Sequence, residues 1–293
     1  MKIKVQAPAK INLSLDILGK RPDGYHDVAM VMQTVSLYDT VTVSDEVSSN
    51  ETQDVIVTCD VEGIPTDDSN IVCKAAKAFF AYCNIDPVRI SVDIEKKIPS
   101  QAGLAGGSTD AAAVIMALNL MCDQKLSMDQ MCEIGAKVGA DVPFCIVGGT
   151  KYAKGTGTTM SKVANLTKCS ILICKPDVSV STAQAYALSD SKPSKGFVVT
   201  DEVVKMLYRR SIRGVSECLF NEFEAVMQLP EISEIKKQMR KNKALGACMS
   251  GSGSAVFGIF LSEKKAQACK VRMSDTYDKL YVCEPIKIGC KIV

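Results

Sequence analysis

Three glycines, Gly103, Gly106 and Gly107, sit among Ala102, Ala105 and Ser108 in the run P-S-Q-A-G-L-A-G-G-S-T from Pro99 to Thr109. Ahead of them Ile90, Val92 and Ile94 alternate with polar residues, which predicts a strand over 88–95. Behind them, from about Ser108 to Cys122, an Ala-, Leu- and Met-rich stretch without a breaker predicts a buried helix. A helix N-terminus carries unpaired N–H groups and partial positive charge, so it attracts anions. Glycines before it let the backbone approach a phosphate and turn its amides inward. No Gly-Lys-Ser/Thr follows, and Ala105 and Ser108 stand where a dinucleotide fingerprint would need glycine. From the residues alone the run is either a phosphate-binding loop or a tight turn before a packed helix.

A phosphate cradle needs a partner that orients or deprotonates an acceptor hydroxyl. Lys10, between Ala9 and Ile11, and Asp141, before Val142-Pro143-Phe144, are charged residues in apolar company. A carboxylate beside a lysine in a dry cleft can accept a hydroxyl proton. Taken singly, they also suit a surface lysine and a capping or turn aspartate. Tyr25 and His26 close the turn G-K-R-P-D-G-Y-H; His26 reads as a hydrogen-bonded turn residue, or the pair as a site for a planar ring. Two further Gly clusters stand out, K-G-T-G-T over 154–158 and M-S-G-S-G-S over 249–254. The latter lies between predicted strands, so it is a hairpin turn or a place where backbone approaches a ligand or another loop. Thirteen cysteines are scattered without a C-x-x-C pair, and His26 is the single histidine, which argues against zinc and for buried reduced thiols.

These residues must be held by a framework that the patterning outlines. Strands are predicted over 2–6 and 11–18, with A-P-A-K between them, then over 27–47, 54–59 and 88–95. Asp67 to Asn70 looks like a cap for a helix reaching Cys83, and Ser127-Met128-Asp129-Gln130 is a capping box for a helix stopped by Gly139. The apolar run Phe144–Val147 reads as a strand. A buried strand over 170–174 opens a second half, with helices over 181–188, 200–208, 215–228 and 230–241. Strands over 246–249 and 254–260, a helix over 262–275 and a strand over 279–283 complete it. The later strands and helices suggest a split βαβ, ferredoxin-like sheet. A boundary near Asn165 divides the chain into 1–164 and 165–293. With 293 residues, 47% hydrophobic and 23% charged, the chain is an ordinary globular one. Its net charge of +2 gives no footprint for nucleic acid. The longest apolar stretch, Ala111–Cys122, is too short to span a bilayer, and Met1–Lys10 lacks an apolar signal region, so a cytoplasmic location is expected.

Four segments in order carry a resemblance: A-P-A-K-I-N-L-S-L-D-I-L-G-K-R-P-D-G-Y-H-D-V from Ala7, P-S-Q-A-G-L-A-G-G-S-T-D-A-A-A from Pro99, G-A-D-V-P-F from Gly139 and S-G-S-G-S-A-V-F from Ser250. Together they resemble the GHMP kinase superfamily, and R-P-D-G-Y-H resembles the branch that acts on a cytidylated methylerythritol. The resemblance implies an α+β fold of two domains, an N-terminal half like ribosomal protein S5 domain 2 and a ferredoxin-like C-terminal half, with the site between them. It implies ATP-dependent phosphorylation of the acceptor's 2-hydroxyl in non-mevalonate isoprenoid precursor synthesis, with Mg²⁺ accompanying ATP. Pro99, Ser100, Gln101, Ala102, Gly103, Leu104, Ala105, Gly106, Gly107, Ser108 and Thr109 would form the ATP loop, although Gln101 and Ala102 replace glycines of some members. Lys10 and Asp141 would be the catalytic pair, with Asn12 close by on the substrate. Tyr25 would stack on cytosine, His26 would bond its edge, Tyr186 is the nearest match to a second stacking aromatic, and Thr182 is its polar neighbour. Ser108 and Asp110 are the candidates for touching the metal. Other acceptors of the superfamily, homoserine or mevalonate, have no base for Tyr25 and His26 to engage. A nucleotide or sugar sensor that kept the fold would have no need of Lys10 and Asp141.

Overall fold

A computed structural model describes residues 1–45, 54–190 and 197–293. Two nineteen-residue antiparallel strands, β1 (Lys2–Lys20) and β2 (His26–Ser44), form its spine. The two strands expected over 2–6 and 11–18 are one, because Pro8 falls at a register shift between Pro8 and Lys10. A bulge accommodates a residue that cannot donate to the ladder. The shift also turns the strand over. Val5 and Ala7 pack against the helices, whereas Ala9, Ile11 and Leu13 pack into the opposite core. Lys10 and Asn12 thereby face the helix side, where a regular strand would not have put them. From Ala7 to Asp16 every residue is buried, so alternation of polar and apolar residues is lost over the strand's middle. Of the strand expected over 27–47, Glu46 and Val47 lie outside the described residues.

Around this spine come β3 (Val55–Cys59), α1 (Ile71–Cys83), β4 (Ile90–Glu95), α2 (Gly106–Met121), α3 (Met128–Val138), α4 (Val142–Val147), β5 (Thr150–Gly155) and β6 (Thr159–Lys162). Asn70 caps α1 by accepting from Val72 N, and Ser127 with Gln130 forms the expected capping box of α3. The run at 144–147 is helix α4, not a strand. Asp141 and Pro143 start it and Gly148, at φ 65°, ends it. A short apolar run buried on all sides has no period to tell the two apart. The sequence reading also missed β5 and β6, whose hairpin turn is K-G-T-G-T.

The second half contains β7 (Ser170–Cys174), α5 (Thr182–Asp190), α6 (Thr200–Tyr208), α7 (Ile212–Glu217), β8 (Phe220–Asn221), α8 (Glu222–Met227), α9 (Pro230–Lys241), β9 (Gly246–Met249), β10 (Val256–Phe260), α10 (Glu263–Met273), β11 (Leu280–Cys283) and β12 (Lys291–Ile292). The helix expected over 215–228 is broken: β8 pairs with β1, and Asn221 then caps α8 by accepting from Phe223 N at 2.9 Å. Strands β11-β7-β10-β9 form an antiparallel sheet in the order of a ferredoxin-like fold. The larger sheet runs β12-β1-β2-β4-β3, with β5 also on β2 and β8 also on β1. One apolar cluster joins Ile11 and Val31 of the larger sheet to Ile171 and Phe257 of the smaller, so the halves share a core. Among the described residues no helix is long and apolar enough to cross a membrane.

Candidate active site

The loop between β4 and α2 takes left-handed φ at Gln101, Gly103 and Ala105, at 49°, 72° and 60°. Helix α2 begins at Gly106, earlier than expected, so Gly106, Gly107 and Ser108 are its first turn. Ala105 gives it no side-chain cap, and no acidic residue lies in that turn. Its amides and the positive end of the helix therefore remain for an outside anion.

Gly103 serves a different contact. A Cβ there would lie 2.0 Å from Ser250 O, because the 250–254 hairpin is pressed onto the loop. Ser250 Oγ donates to Gly103 O at 2.9 Å, Ala255 N to Ala102 O at 3.2 Å, and Asn12 N to Ser250 Oγ at 3.3 Å. Asn221 Nδ2 donates to Met249 O and Gly251 O, both at 2.8 Å. The serine–glycine hairpin thus meets another loop, one of the alternatives its sequence left open. Lys10 N donates to Leu104 O at 3.1 Å, tying the spine to the same loop.

A cleft of about 1470 Å³ runs past this junction. Lys10 and Asp141 meet in it, Nζ to Oδ2 at 3.4 Å, with the lysine side chain 5% exposed and the aspartate 30%. Asp141 stands at the N-cap of α4, yet its side chain makes no capping bond. Lys10 Nζ also donates to Asn12 Oδ1 at 2.8 Å. Asn12 is fully buried behind the lysine, its Nδ2 3.2 Å from Met30 Sδ, and does not line the cleft. Pro99 to Ser108 all line it. Thr109 does not; its hydroxyl is buried 3.5 Å from Cys290 Sγ.

Behind the Gly loop lies a cluster that sequence reasoning missed. Lys96 Nζ donates to Asp110 Oδ2 at 2.7 Å and to Asp39 Oδ2, and Asp39 Oδ1 accepts from the amides of Lys97 and Ile98 at 2.6 and 2.8 Å. Asp110 Oδ1 is buried without a partner. Burial pushes the Asp110 carboxyl up to about 8, against the pull of Lys96 and with the help of Asp39. One Asp110 oxygen is thus already engaged by Lys96, which competes with any cation for that carboxyl. Ser108 lies in the first turn of α2 and lines the cleft. Among the described residues no three His, Cys, Asp or Glu side chains form a metal cluster.

At the other end of the cleft Tyr25 is 67% exposed on its turn, while the His26 ring is buried and stacked on Tyr186, centroids 4.4 Å apart at 20°. Tyr186 stands edge-on to Phe223 at 4.9 Å. His26 Nε2 lies 2.6 Å from Asp190 Oδ1, and Lys20 Nζ donates to Asp190 Oδ2 at 2.9 Å. Those bonds, from His26 first and Lys20 second, hold the Asp190 carboxyl below its usual range. Thr182 and Ser252 hydroxyls meet at 2.8 Å, linking α5 to the hairpin. Lys96, Asp190 and Phe223 carried no local motif; only the partners that folding brings them reveal them.

An uncapped helix N-terminus and a lysine–aspartate pair lining one cleft have the layout of a phosphoryl-transfer site. Models of the GHMP kinases N terminal domain and the GHMP kinases C terminal match residues 70–149 and 203–279. A 4-diphosphocytidyl-2-C-methyl-D-erythritol kinase of Clostridioides difficile (strain 630) is 42% identical over 99% of this chain and 97% of its own length. One from Caldicellulosiruptor saccharolyticus is also 42% identical, over 98% of this chain and 93% of its own. A crystal structure of 4-(cytidine 5'-diphospho)-2C-methyl-D-erythritol kinase superposes with a TM-score of 0.77 at 26% identity, covering 96% of this chain and 98% of that one. The chain belongs to the GHMP kinases and, among them, to the 4-diphosphocytidyl-2-C-methyl-D-erythritol kinase family.

Proposed function

We propose that this protein transfers the terminal phosphoryl group of ATP to the 2-hydroxyl of 4-diphosphocytidyl-2-C-methyl-D-erythritol, a step of non-mevalonate isoprenoid precursor synthesis. The observation that carries the chemistry is the Lys10–Asp141 pair, 3.4 Å apart in the cleft that the Gly loop also lines. The amides of Gly106, Gly107 and Ser108 hold the ATP phosphates. Asp141, left uncapped, accepts or orients the proton of the acceptor hydroxyl. Lys10 offsets charge on Asp141 and on the transferred group, and Asn12 fixes the lysine from behind. Ser108 would be the protein contact of a magnesium ion, which would supply neutralisation of the phosphate charge. Tyr25 and Tyr186 flank the nucleobase end, His26 presents its ring edge there, and Thr182 orients the acceptor beside Ser252. Residues 1–164 are the ATP-binding unit and 165–293 the second, sharing the apolar seam described above.

Asp141→Asn tests the assignment. It should lower kcat by about 10²–10⁴ with ATP affinity retained, the range for losing a general base. Unchanged turnover in that variant would remove Asp141 from its role. A wild-type protein that binds ATP and the cytidylated alcohol yet forms no ADP would overturn the function.

A further inference from the structure

The Asp190–His26 contact has a chemical consequence for which base the cleft accepts. An ionised carboxylate can only accept hydrogen bonds, so at 2.6 Å the His26 Nε2 must carry the hydrogen. Lys20 Nζ donates to the other Asp190 oxygen at 2.9 Å. In a neutral imidazole, a hydrogen on Nε2 leaves Nδ1 as a lone-pair acceptor. No described residue bonds Nδ1, and His26 lines the cleft. The ring cannot turn freely, because it is 7% exposed and stacked on Tyr186, which Phe223 holds edge-on.

We propose that Asp190 is a positioning residue for base selection: it fixes the Nε2–H tautomer of His26 so that Nδ1 presents an acceptor to the exocyclic amine of a cytosine and rejects a uracil. Cytosine carries an N4 amine donor where uracil carries an O4 acceptor. An acceptor facing O4 leaves two lone pairs opposed in a desolvated site, whereas one facing N4 is satisfied. The inference deepens the function proposed above and rests on it.

Two measurements test it. His26 is the only histidine in the chain, so protein labelled with ¹⁵N-histidine gives one ring spectrum. The expected pattern is neutral imidazole with the hydrogen on Nε2; hydrogen on Nδ1, or imidazolium, overturns the proposal. The second measurement compares kcat/KM for the cytidylated and uridylated acceptors. The wild type should favour the cytidylated one, and Asp190→Ala should shrink that ratio roughly 10- to 100-fold, the value of one buried polar group left unpaired. The change should appear mainly in KM, because Lys10 and Asp141 are untouched. Asp190→Asn, whose carbonyl oxygen can still accept from Nε2–H, should restore most of the ratio. A wild type indifferent to the base, or an Asp190→Ala protein with the full ratio and the same tautomer, overturns this inference alone. Failure to phosphorylate either acceptor refutes the proposed function instead.

Discussion

Replacing Gly103 by alanine separates two demands that the Gly loop makes on its residues. Gly103 adopts φ 72°, where a Cβ costs about 1–2 kcal/mol. The new atom would also stand 2.0 Å from Ser250 O and 2.8 Å from Ser250 C, both backbone, so no side chain can swing aside. The hairpin must retreat, straining the bonds from Ser250 Oγ and Ala255 N, and overpacking of this kind costs about 1–3 kcal/mol. The expected loss is about 2–5 kcal/mol, or roughly 4–10 °C in Tm for a chain of this size. Gly107→Ala is the control. Its Cβ would touch only Ile71 Cγ2 at 3.4 Å, and it lies inside α2, so stability should hold or rise by up to about 1 kcal/mol. Yet Gly107 lines the cleft, and its variant should bind ATP more weakly. Thermal unfolding and nucleotide titration on both variants decide. A Gly103→Ala protein that melts like wild type, or melts above Gly107→Ala, refutes the reasoning.

The buried lysine behind the loop gives further tests. Lys96→Met leaves Asp39 and Asp110 together without their cation at 0% and 5% exposure, and should cost about 3–5 kcal/mol near neutral pH by denaturant unfolding. The deficit should shrink on acidification, as the carboxyls take up protons. In the wild type the Asp110 carboxyl sits at about 8 when folded, above its ordinary 3.8, so the folded state holds a proton that the unfolded state has released. Its contribution is therefore present below about pH 4 and lost as pH rises towards 8, with a slope of at most about 1.4 kcal/mol per pH unit. Asp110→Asn should flatten the stability profile over that window; an unchanged slope would show that Asp110 does not carry the proton.

Local pattern carried much of the fold into view. The cap at Asn70, the capping box at Ser127, and the helices from Thr200 and Pro230 were legible because each rests on contacts within a few residues. Elements with their cause elsewhere were not. The 144–147 run looks equally good as strand or helix until surrounding burial is known. The chain near Phe220 leaves helix because β1 offers it a pairing edge. Pro8 seemed to end a strand that a bulge in fact continues.

The sequence by itself determined which groups are available: a Gly-rich helix entrance, a lysine and an aspartate in apolar company, and an aromatic–histidine turn. Each is a property of residue type and short-range spacing. Tertiary structure alone decided what those groups face. A bulge turned Lys10 towards Asp141, 131 residues further along. Chain crossing between the halves set Gly103 against Ser250, and folding of α5 gave His26 its Asp190. Such pairings depend on register and on which backbones meet across the core, and no window of neighbouring residues encodes either.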